Sequence, residues 1–213
     1  METMSEPTSM EAARKELVDA IIEIEWEMFT SVNNVGGPAA CQSQDQTFNV
    51  MRRAQFSTWS LDTLDSYLHD LDGARAQGRN LMTEKYARMM SVTHPDEYAE
   101  IAPMLPPVTQ EAMDLIDKIA AQHDMWDQAV TEEFPKLRAR GRTQDEAGQE
   151  GHGPTANTYL IGELLTYSLP TLRGVMHDVE EALTHGHNIV RDQLESTVKQ
   201  YGWPSIEEAE KHQ

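Results

Sequence analysis

The chain has 213 residues and a formal net charge of −19, which comes from 36 acidic and 17 basic side chains. A charge of this sign repels nucleic acid and anionic membranes, so neither is an expected partner. The single cysteine excludes an intramolecular disulfide, and no apolar segment is typical of a signal peptide or a membrane span, so the sequence predicts a cytoplasmic protein.

Four helices are predicted in the N-terminal half, after a polar segment over residues 1–9 that is expected to be disordered. The first begins near Ser9 and ends before "NNVGGPAA", where Asn, Gly-Gly and Pro all resist helix. The second and third begin at residues typical of helix N-caps, Asp45 and Ser60. The fourth, "NLMTEKYARMMSVT", stops before Pro95 and leads into a short turn and a proline-rich loop.

The C-terminal half is also predicted to be helical. Thr109 caps a long helix that ends at Pro135. Residues 136–156 form a polar, glycine-rich loop, and a connection of this length is usually functional or disordered. Three further helices and the short capped tail "SIEEAEK" follow. Because the sequence shows no strand pattern and no internal repeat, the predicted fold is all-α, a single-domain irregular helical bundle over residues 10–213.

The segment "AIIEIEWEMF" places one carboxylate within the apolar face of the first helix. At about 100° per residue, Glu23 and Glu27 fall outside the apolar arc, whereas Glu25 falls near its middle. A buried carboxylate needs a cation or a raised pKa, and both suit a catalytic site. Glu25 is therefore a candidate acid or base, with a structural buried salt bridge as the alternative.

The segment "TYLIGELLTYS" carries a second candidate. Tyr159, Glu163 and Tyr167 stand at i, i+4 and i+8, so they form one stripe on a helix. Such a stripe could orient a ligand and move a proton, or it could be a helix edge with phenols at the rim of the core. Gly162 lies in the middle of this helix at a cost of about 1 kcal/mol relative to Ala, which indicates a close approach by another element.

Basic side chains cluster in the second and fourth helices. Arg52 and Gln55 lie at or within the apolar face of the second helix, and Lys85 and Arg88 share a stripe of the fourth. Half-buried arginines suit pairing with the two glutamates or with a substrate carboxylate or phosphate, although each alone is more often exposed. The candidate substrate-binding residues are Arg52, Gln55, Arg79, Asn80, Lys85 and Arg88.

Cys41 is a candidate nucleophile, because it lies just before a predicted helix start and a helix N-terminus lowers the pKa of a thiol. A buried inert thiol is the alternative. His123 falls on an apolar stripe and is interpreted as a core histidine. No metal or cofactor is predicted, since the sequence contains no Glu-x-x-His pair, phosphate-binding loop, dinucleotide motif or nucleophile elbow.

Several long blocks resemble an uncharacterised bacterial family that is catalogued as a domain of unknown function. The blocks are "EIEWEMF", "VNNVGGPAACQ", "TFNVMRRAQFSTW", "SYLHDLDGARAQGRNLMTEKYARMM", "TYLIGELLTYSLPTL" and "YGWPSIEEAE". The resemblance begins near Glu16 and implies one intact domain, but it implies no activity; the acidic, glycine-rich part of the 136–156 loop departs from the family pattern. It marks as motif positions Glu25, Glu27, Cys41, Gln42, Arg52, Gln55, Arg79, Asn80, Lys85, Tyr86, Arg88, Tyr159, Glu163 and Tyr167.

These residues favour a cofactor-independent enzyme of the lyase or isomerase type, whose partner is a small polar substrate with a carboxylate. The cations would hold the anion, and Glu25 or Glu163 would act as general acid or base. Tyr159 or Tyr167 would assist, and the 136–156 loop would close over the site. The alternatives are a helical ligand-binding or accessory interaction protein, a metal- or haem-dependent oxidase, and a helical domain with a buried ionic network and no ligand.

Overall fold

The computed structural model describes residues 9–33, 37, 39–140 and 155–213, and all regular structure in these residues is helical. Two short 3₁₀ helices cover Ala40–Ser43 and Ala102–Met104. The α-helices of the described residues are α1 (Ser9–Thr30), α2 (Asp45–Phe56), α3 (Leu61–Ala76), α4 (Leu81–Thr93), α5 (Pro95–Ile101), α6 (Gln110–Glu133), α7 (Pro135–Arg140), α8 (Ala156–Leu164), α9 (Leu169–Thr184), α10 (Ile189–Gln200) and α11 (Ile206–Lys211). The predicted all-α fold is confirmed.

Most helices begin where the sequence places a capping side chain. The hydroxyl groups of Ser60, Thr109 and Ser205 each accept a hydrogen bond from the backbone N–H three residues ahead, which satisfies one free donor of the first turn. Asp45 was predicted to cap α2 but is the first residue of that helix, behind Gln44. There it places a carboxylate at the positive end of the helix dipole.

Two predicted connections are partly helical. Residues 96–102 were predicted as a turn, but Pro95–Ile101 forms α5, because a proline is well tolerated at the first position of a helix. The loop predicted at 136–156 was wrong at its start, since α7 reaches residue 140 from another helix-initiating proline, and α8 begins at residue 156. Residues 141–154 and the segment predicted to be disordered, apart from Ser9, lie outside the described residues.

The main hydrophobic core lies where α1 packs on α3, α4 on α8 and α6 on α9. Its centre is formed by fully buried aliphatic side chains such as Ile21, Leu64, Ile116 and Leu172. Burying each such side chain contributes about 1.5–3 kcal/mol. A smaller core joins the end of α6 to α7, α10 and α11.

Gly162 permits the close contact between α8 and α4. A Cβ atom at this position would lie 2.6 Å from Cγ of Met89 and 3.2 Å from the backbone oxygen of Lys85. Distances this short leave no room for a side chain, so the close approach indicated by the sequence is confirmed. It brings Glu163, the next residue of α8, to the amine of Lys85.

Candidate functional site

Arg52 of α2 lies in the core between a glutamate from α1 and a glutamate from α8. Its Nε donates to Oε2 of Glu25 at 2.6 Å, and its Nη2 donates to Oε1 of the same carboxylate. Its Nη1 and Nη2 each donate to Oε1 of Glu163 at 3.0 Å. Nη1 also donates to Oε1 of Gln55 at 2.7 Å, so every nitrogen of the guanidinium is engaged.

The two carboxylates have further donors of their own. Tyr67 donates its hydroxyl to Glu25 at 2.7 Å, and Tyr167 donates its hydroxyl to Glu163 at 2.6 Å. Lys85 of α4 donates to Oε2 of Glu163 at 2.5 Å. Two anions and two cations therefore balance inside the core. These side chains, with the groups that hydrogen-bond to them, form what we call the buried ionic network: Glu25, Arg52, Gln55, Tyr67, Lys85, Glu163 and Tyr167.

The pKa shifts within the network follow from burial and from the central arginine. Burial raises the pKa of Glu25, and Arg52 offsets this only in part. Burial also opposes ionisation of Glu163, but Arg52 and Lys85 outweigh it and hold the pKa of that carboxyl well below its usual range. Glu163 therefore carries a firmly held negative charge.

The two phenols of the network keep their protons. Burial raises the pKa of Tyr67 well above its ordinary value, and the charge of Glu25 raises it further. Burial and Glu163 do the same to the pKa of Tyr167. Both hydroxyls are thus hydrogen-bond donors to carboxylates and poor acids at neutral pH.

The structure brings together six of the residues that the sequence selected. These residues come from distant parts of the chain, because α1, α2, α4 and α8 all supply members of the network. The six residues are Glu25, Arg52, Gln55, Lys85, Glu163 and Tyr167. Their catalytic and binding roles stay predictions.

Other selected residues occupy different places. Asn80 caps α4 and donates its side-chain amide to the backbone oxygen of Met28 at 2.8 Å, so it fastens α4 to α1. Cys41 lies in the first 3₁₀ helix and is exposed, which contradicts the alternative of a buried thiol. Tyr159 is half-buried on α8, one turn before Glu163.

Sequence reasoning missed Tyr67, which is 1% exposed and hydrogen-bonds to Glu25. The signal lay in the spacing of Leu64, Tyr67 and Leu71, which puts a phenol on the buried face of α3. A buried hydroxyl needs a partner, so a tyrosine at such a position predicts a buried polar group opposite it.

Arg79 and Arg88 line a cavity of about 360 Å³ that is bounded by α3, α4, the start of α6 and the α8–α9 connection. Arg79 has a carboxylate partner there, since its Nε and Nη2 donate to the two carboxylate oxygens of Glu84 at 2.8 and 2.7 Å. Asp70, another acid of the lining, accepts a hydrogen bond from the backbone N–H of Ser168 at 2.9 Å. Both lining carboxylates thus already have partners.

Arg88 has no such partner. Its side chain is buried, and Nη2 donates to the backbone oxygen of Pro106 at 2.6 Å. Its Nε has no hydrogen-bond partner, and no carboxylate of the described residues forms an ion pair with it. Burial lowers the pKa of Arg88, and the nearby Tyr98 and Glu84 offset this only in part. We refer to this space as the Arg88 cavity.

His123 is half-buried against Trp126, with 5.6 Å between ring centroids, and burial lowers its pKa to about 4. It is therefore a neutral packing histidine at physiological pH. In the parts of the chain that the structure describes, no three His, Cys, Asp or Glu side chains converge as metal ligands. None of the described helices combines the length and apolar character needed to cross a bilayer.

Comparison with known proteins identifies a family. The sequence profile of a family described as "Protein of unknown function (DUF4125)" matches residues 15–211, which is nearly the whole chain. No curated protein and no solved structure matches this chain. The match confirms the resemblance found from the sequence blocks. The chain belongs to the DUF4125 family.

Proposed function

We propose that this protein binds a small anionic molecule in the Arg88 cavity. The observation that carries the proposal is a buried guanidinium with an unpartnered Nε and no carboxylate partner among the described residues, lining a cavity of about 360 Å³. Binding sites for small molecules typically measure about 300–1,000 Å³ and combine apolar walls with a few polar anchors. This cavity fits that description.

The energetics of Arg88 favour an anionic ligand. A buried charge without a partner costs several kcal/mol, and an anion that reaches it recovers part of this cost in the bound state. The start of α6 supports the same sign of charge, because Thr109 and Ala112 line the cavity and a helix N-terminus carries a partial positive charge. Arg88 and the N-terminus of α6 thus form a locally positive site in a chain of net charge −19.

Binding is better supported than the acid–base chemistry expected from the sequence. Glu163 is held ionised by two cations, and Tyr167 holds its proton tightly, so neither is poised for proton transfer near neutral pH. Tyr167 nevertheless lines the Arg88 cavity while it donates to Glu163. Lyase or isomerase activity, with Glu25 or Glu163 as acid or base and Tyr159 or Tyr167 as its partner, stays a prediction, which turnover assays on any ligand found would test.

The proposal is tested by thermal unfolding of the purified chain with acetate, succinate and inorganic phosphate. An anion at about 100 times its Kd should raise the melting temperature by about 5–10 °C. Arg88→Met should abolish the increase, whereas the matched change Arg75→Met, at an arginine whose side chain is 50% exposed, should leave it intact. No shift with any anion, or an equal shift in Arg88→Met, would overturn the proposal.

The expected partners and location belong to the same proposal. The charge of −19 supports a protein that avoids nucleic acid and anionic membranes, and the single cysteine fits a reducing cytoplasm. Cell fractionation tests the location. Gel-shift and vesicle-flotation assays test the two excluded partners, and binding in either assay would contradict them.

A further inference from the structure

We infer that the ligand of the Arg88 cavity is a short-chain monocarboxylate, a single carboxylate group on a small apolar body. This inference rests on the proposed function and narrows it from any small anion to one chemical class. Three observations support it: the charge balance of the cavity lining, the unpartnered Nε of Arg88, and the apolar walls and small volume of the rest of the cavity.

The charge balance of the lining favours one negative charge on the ligand. The charge of Arg79 is already balanced by Glu84, whose two carboxylate oxygens accept from its Nε and Nη2, so it is not an uncompensated cation for a second anionic group. Arg88 is thus the guanidinium of the described lining that lacks a carboxylate. A second negative charge on the ligand would instead meet Asp70 and Glu84, and like charges in a partly buried site repel strongly.

His69 does not change this balance. It is exposed on α3, where its Nδ1 and the backbone oxygen of Asp65 hydrogen-bond at 2.8 Å, and the Asp65 carboxylate lies 3.6 Å from the same nitrogen. Any positive charge on this ring is therefore compensated locally and is screened by solvent.

The geometry of Arg88 favours a carboxylate. Its Nη2 is occupied by Pro106, whereas its Nε has no partner among the described residues. A carboxylate oxygen can accept a charge-assisted hydrogen bond from this Nε, and such a bond is stronger than one between neutral groups. An anion that reaches the Nε edge therefore satisfies the orphaned donor.

The other walls favour a short apolar body. Leu81 of α4, Val108 before α6, Ala112 of α6, and Leu165 and Leu169 beside α9 all line the cavity. At about 30 Å³ per water molecule, a volume of 360 Å³ corresponds to roughly a dozen waters. The cavity therefore suits a compact ligand and not a long-chain fatty acid.

The test is isothermal titration of the full chain with acetate, butyrate, hexanoate and benzoate, against succinate, inorganic phosphate and neutral hexanamide. The expected result is a Kd that falls roughly fourfold per added methylene until the chain outgrows the cavity. Hexanamide should bind about tenfold to a hundredfold more weakly than hexanoate, because it lacks the charge that Arg88 contacts.

Two variants keep the test independent of folding defects. Arg88→Met should remove binding of every carboxylate. Ala112→Leu should fill the cavity and weaken hexanoate much more than acetate, with Arg88 still present. Arg75→Met, at an arginine that does not line the cavity and whose side chain is 50% exposed, is the control that should leave binding unchanged.

The outcomes separate the two claims. Succinate or phosphate binding more tightly than hexanoate in an Arg88-dependent manner would overturn the monocarboxylate class and leave the proposed function standing. Equal binding of hexanamide and hexanoate would overturn the role of charge. Affinity that keeps rising through long-chain fatty acids would point to a lipid ligand and overturn the short-chain class. Binding of no anion at all would overturn both claims.

Discussion

Arg52 and Arg88 are each 6% exposed, but their surroundings differ completely. Every nitrogen of Arg52 is hydrogen-bonded, and its charge is balanced within the buried ionic network. In the part of the chain that the structure describes, Arg88 instead hydrogen-bonds to a backbone carbonyl and to the side chain of Tyr98, and its Nε has no partner. Burial of a charged side chain therefore does not by itself mark a functional site. An unsatisfied donor on a residue that also lines a cavity is the stronger indication, because a ligand could complete its hydrogen bonding.

The difference also separates stability from binding. A saturated network between four helices fixes their relative positions, and removing one member leaves the others unpaired in the core. An arginine without a carboxylate partner beside a cavity is expected to lower the free energy of unfolding of the unliganded protein slightly, and a bound anion would offset that loss.

The largest effect is expected for Arg52→Met, which leaves Glu25 and Glu163 in the core without their shared cation. The free energy of unfolding should fall by about 3–5 kcal/mol, the usual cost of breaking a buried ion pair on one side. Urea denaturation at neutral pH measures this. Arg52→Lys keeps the charge but loses the planar fork, so its stability should be intermediate.

The control for this change is Arg75→Met, since the ion pairs of Arg75 in the described residues are with exposed acids, at 3.8 Å from Glu27 and 4.0 Å from Asp72. It should alter stability by no more than about 0.5 kcal/mol. If Arg52→Met lowered the free energy of unfolding no more than Arg75→Met does, the buried ionic network would contribute nothing to the stability of the fold.

The next effect is a pair of opposite pH dependences. Because the pKa of Glu163 is depressed in the folded state, its contribution to stability is present above the unfolded value near 4.5 and is lost as the pH falls through the folded pKa. Because the pKa of Glu25 is raised, its contribution is complete below about 4.5 and is lost as the pH rises through the folded pKa.

Chemical denaturation of Glu163→Gln and Glu25→Gln across the acid range measures both signs. The destabilisation by Glu163→Gln should be greatest at neutral pH and should shrink as the pH falls below about 4.5. The destabilisation by Glu25→Gln should be smaller at neutral pH than in acid. In acid the substitution removes the full stabilising contribution of the protonated carboxyl, whereas at neutral pH that contribution is already reduced. Two parallel profiles would contradict the assignment of the firmly ionised carboxylate to Glu163.

The network could be predicted in large part because helical geometry acts locally. The positions of Glu25 and Glu163 on apolar helix faces follow from sequence spacing alone. Tyr67 was missed because a phenol on an apolar face is usually read as an ordinary core residue. Its role depends on the partner that α1 places opposite it, and this is a tertiary contact.

The division of the basic residues between two places could not be predicted. Lys85 and Arg88 are three residues apart on α4 and share one stripe, so sequence spacing groups them together. In the structure, Lys85 meets Glu163 of α8, whereas Arg88 meets the backbone of Pro106 ahead of α6. Which element crosses a helix at a given turn is set by packing between distant parts of the chain, and helical periodicity does not contain it.

A smaller effect is expected for the contact that places Glu163 beside Lys85. In Gly162→Ala the added methyl would meet Met89 and the backbone of α4, and overpacking of this kind costs about 1–3 kcal/mol. The better helix propensity of alanine offsets about 1 kcal/mol, so a net loss of about 1 kcal/mol is expected in urea denaturation.

Gly73→Ala is the matched substitution, because Gly73 also lies within a helix but has open space around the position of a Cβ atom. It should gain about 0.5–1 kcal/mol, since alanine loses less backbone entropy on folding. Equal effects of the two changes would show that α8 and α4 can separate without loss, and that the Lys85–Glu163 pair does not depend on this contact.

The smallest effect, and the one whose sign is most informative, is expected for Arg88→Met in the absence of ligand. Removing a buried charge that lacks a counter-ion should stabilise the protein, and the loss of the donor to Pro106 offsets part of the gain. The net change should be a gain of about 1 kcal/mol or less, which urea denaturation in an anion-poor buffer can resolve against wild type. A destabilisation of several kcal/mol, like that of Arg52→Met, would place Arg88 among the residues that hold the fold together and would remove the contrast between the two arginines. If Arg88→Met gains stability and loses anion binding, Arg88 serves ligand binding at the expense of stability, a trade-off that is common at functional sites.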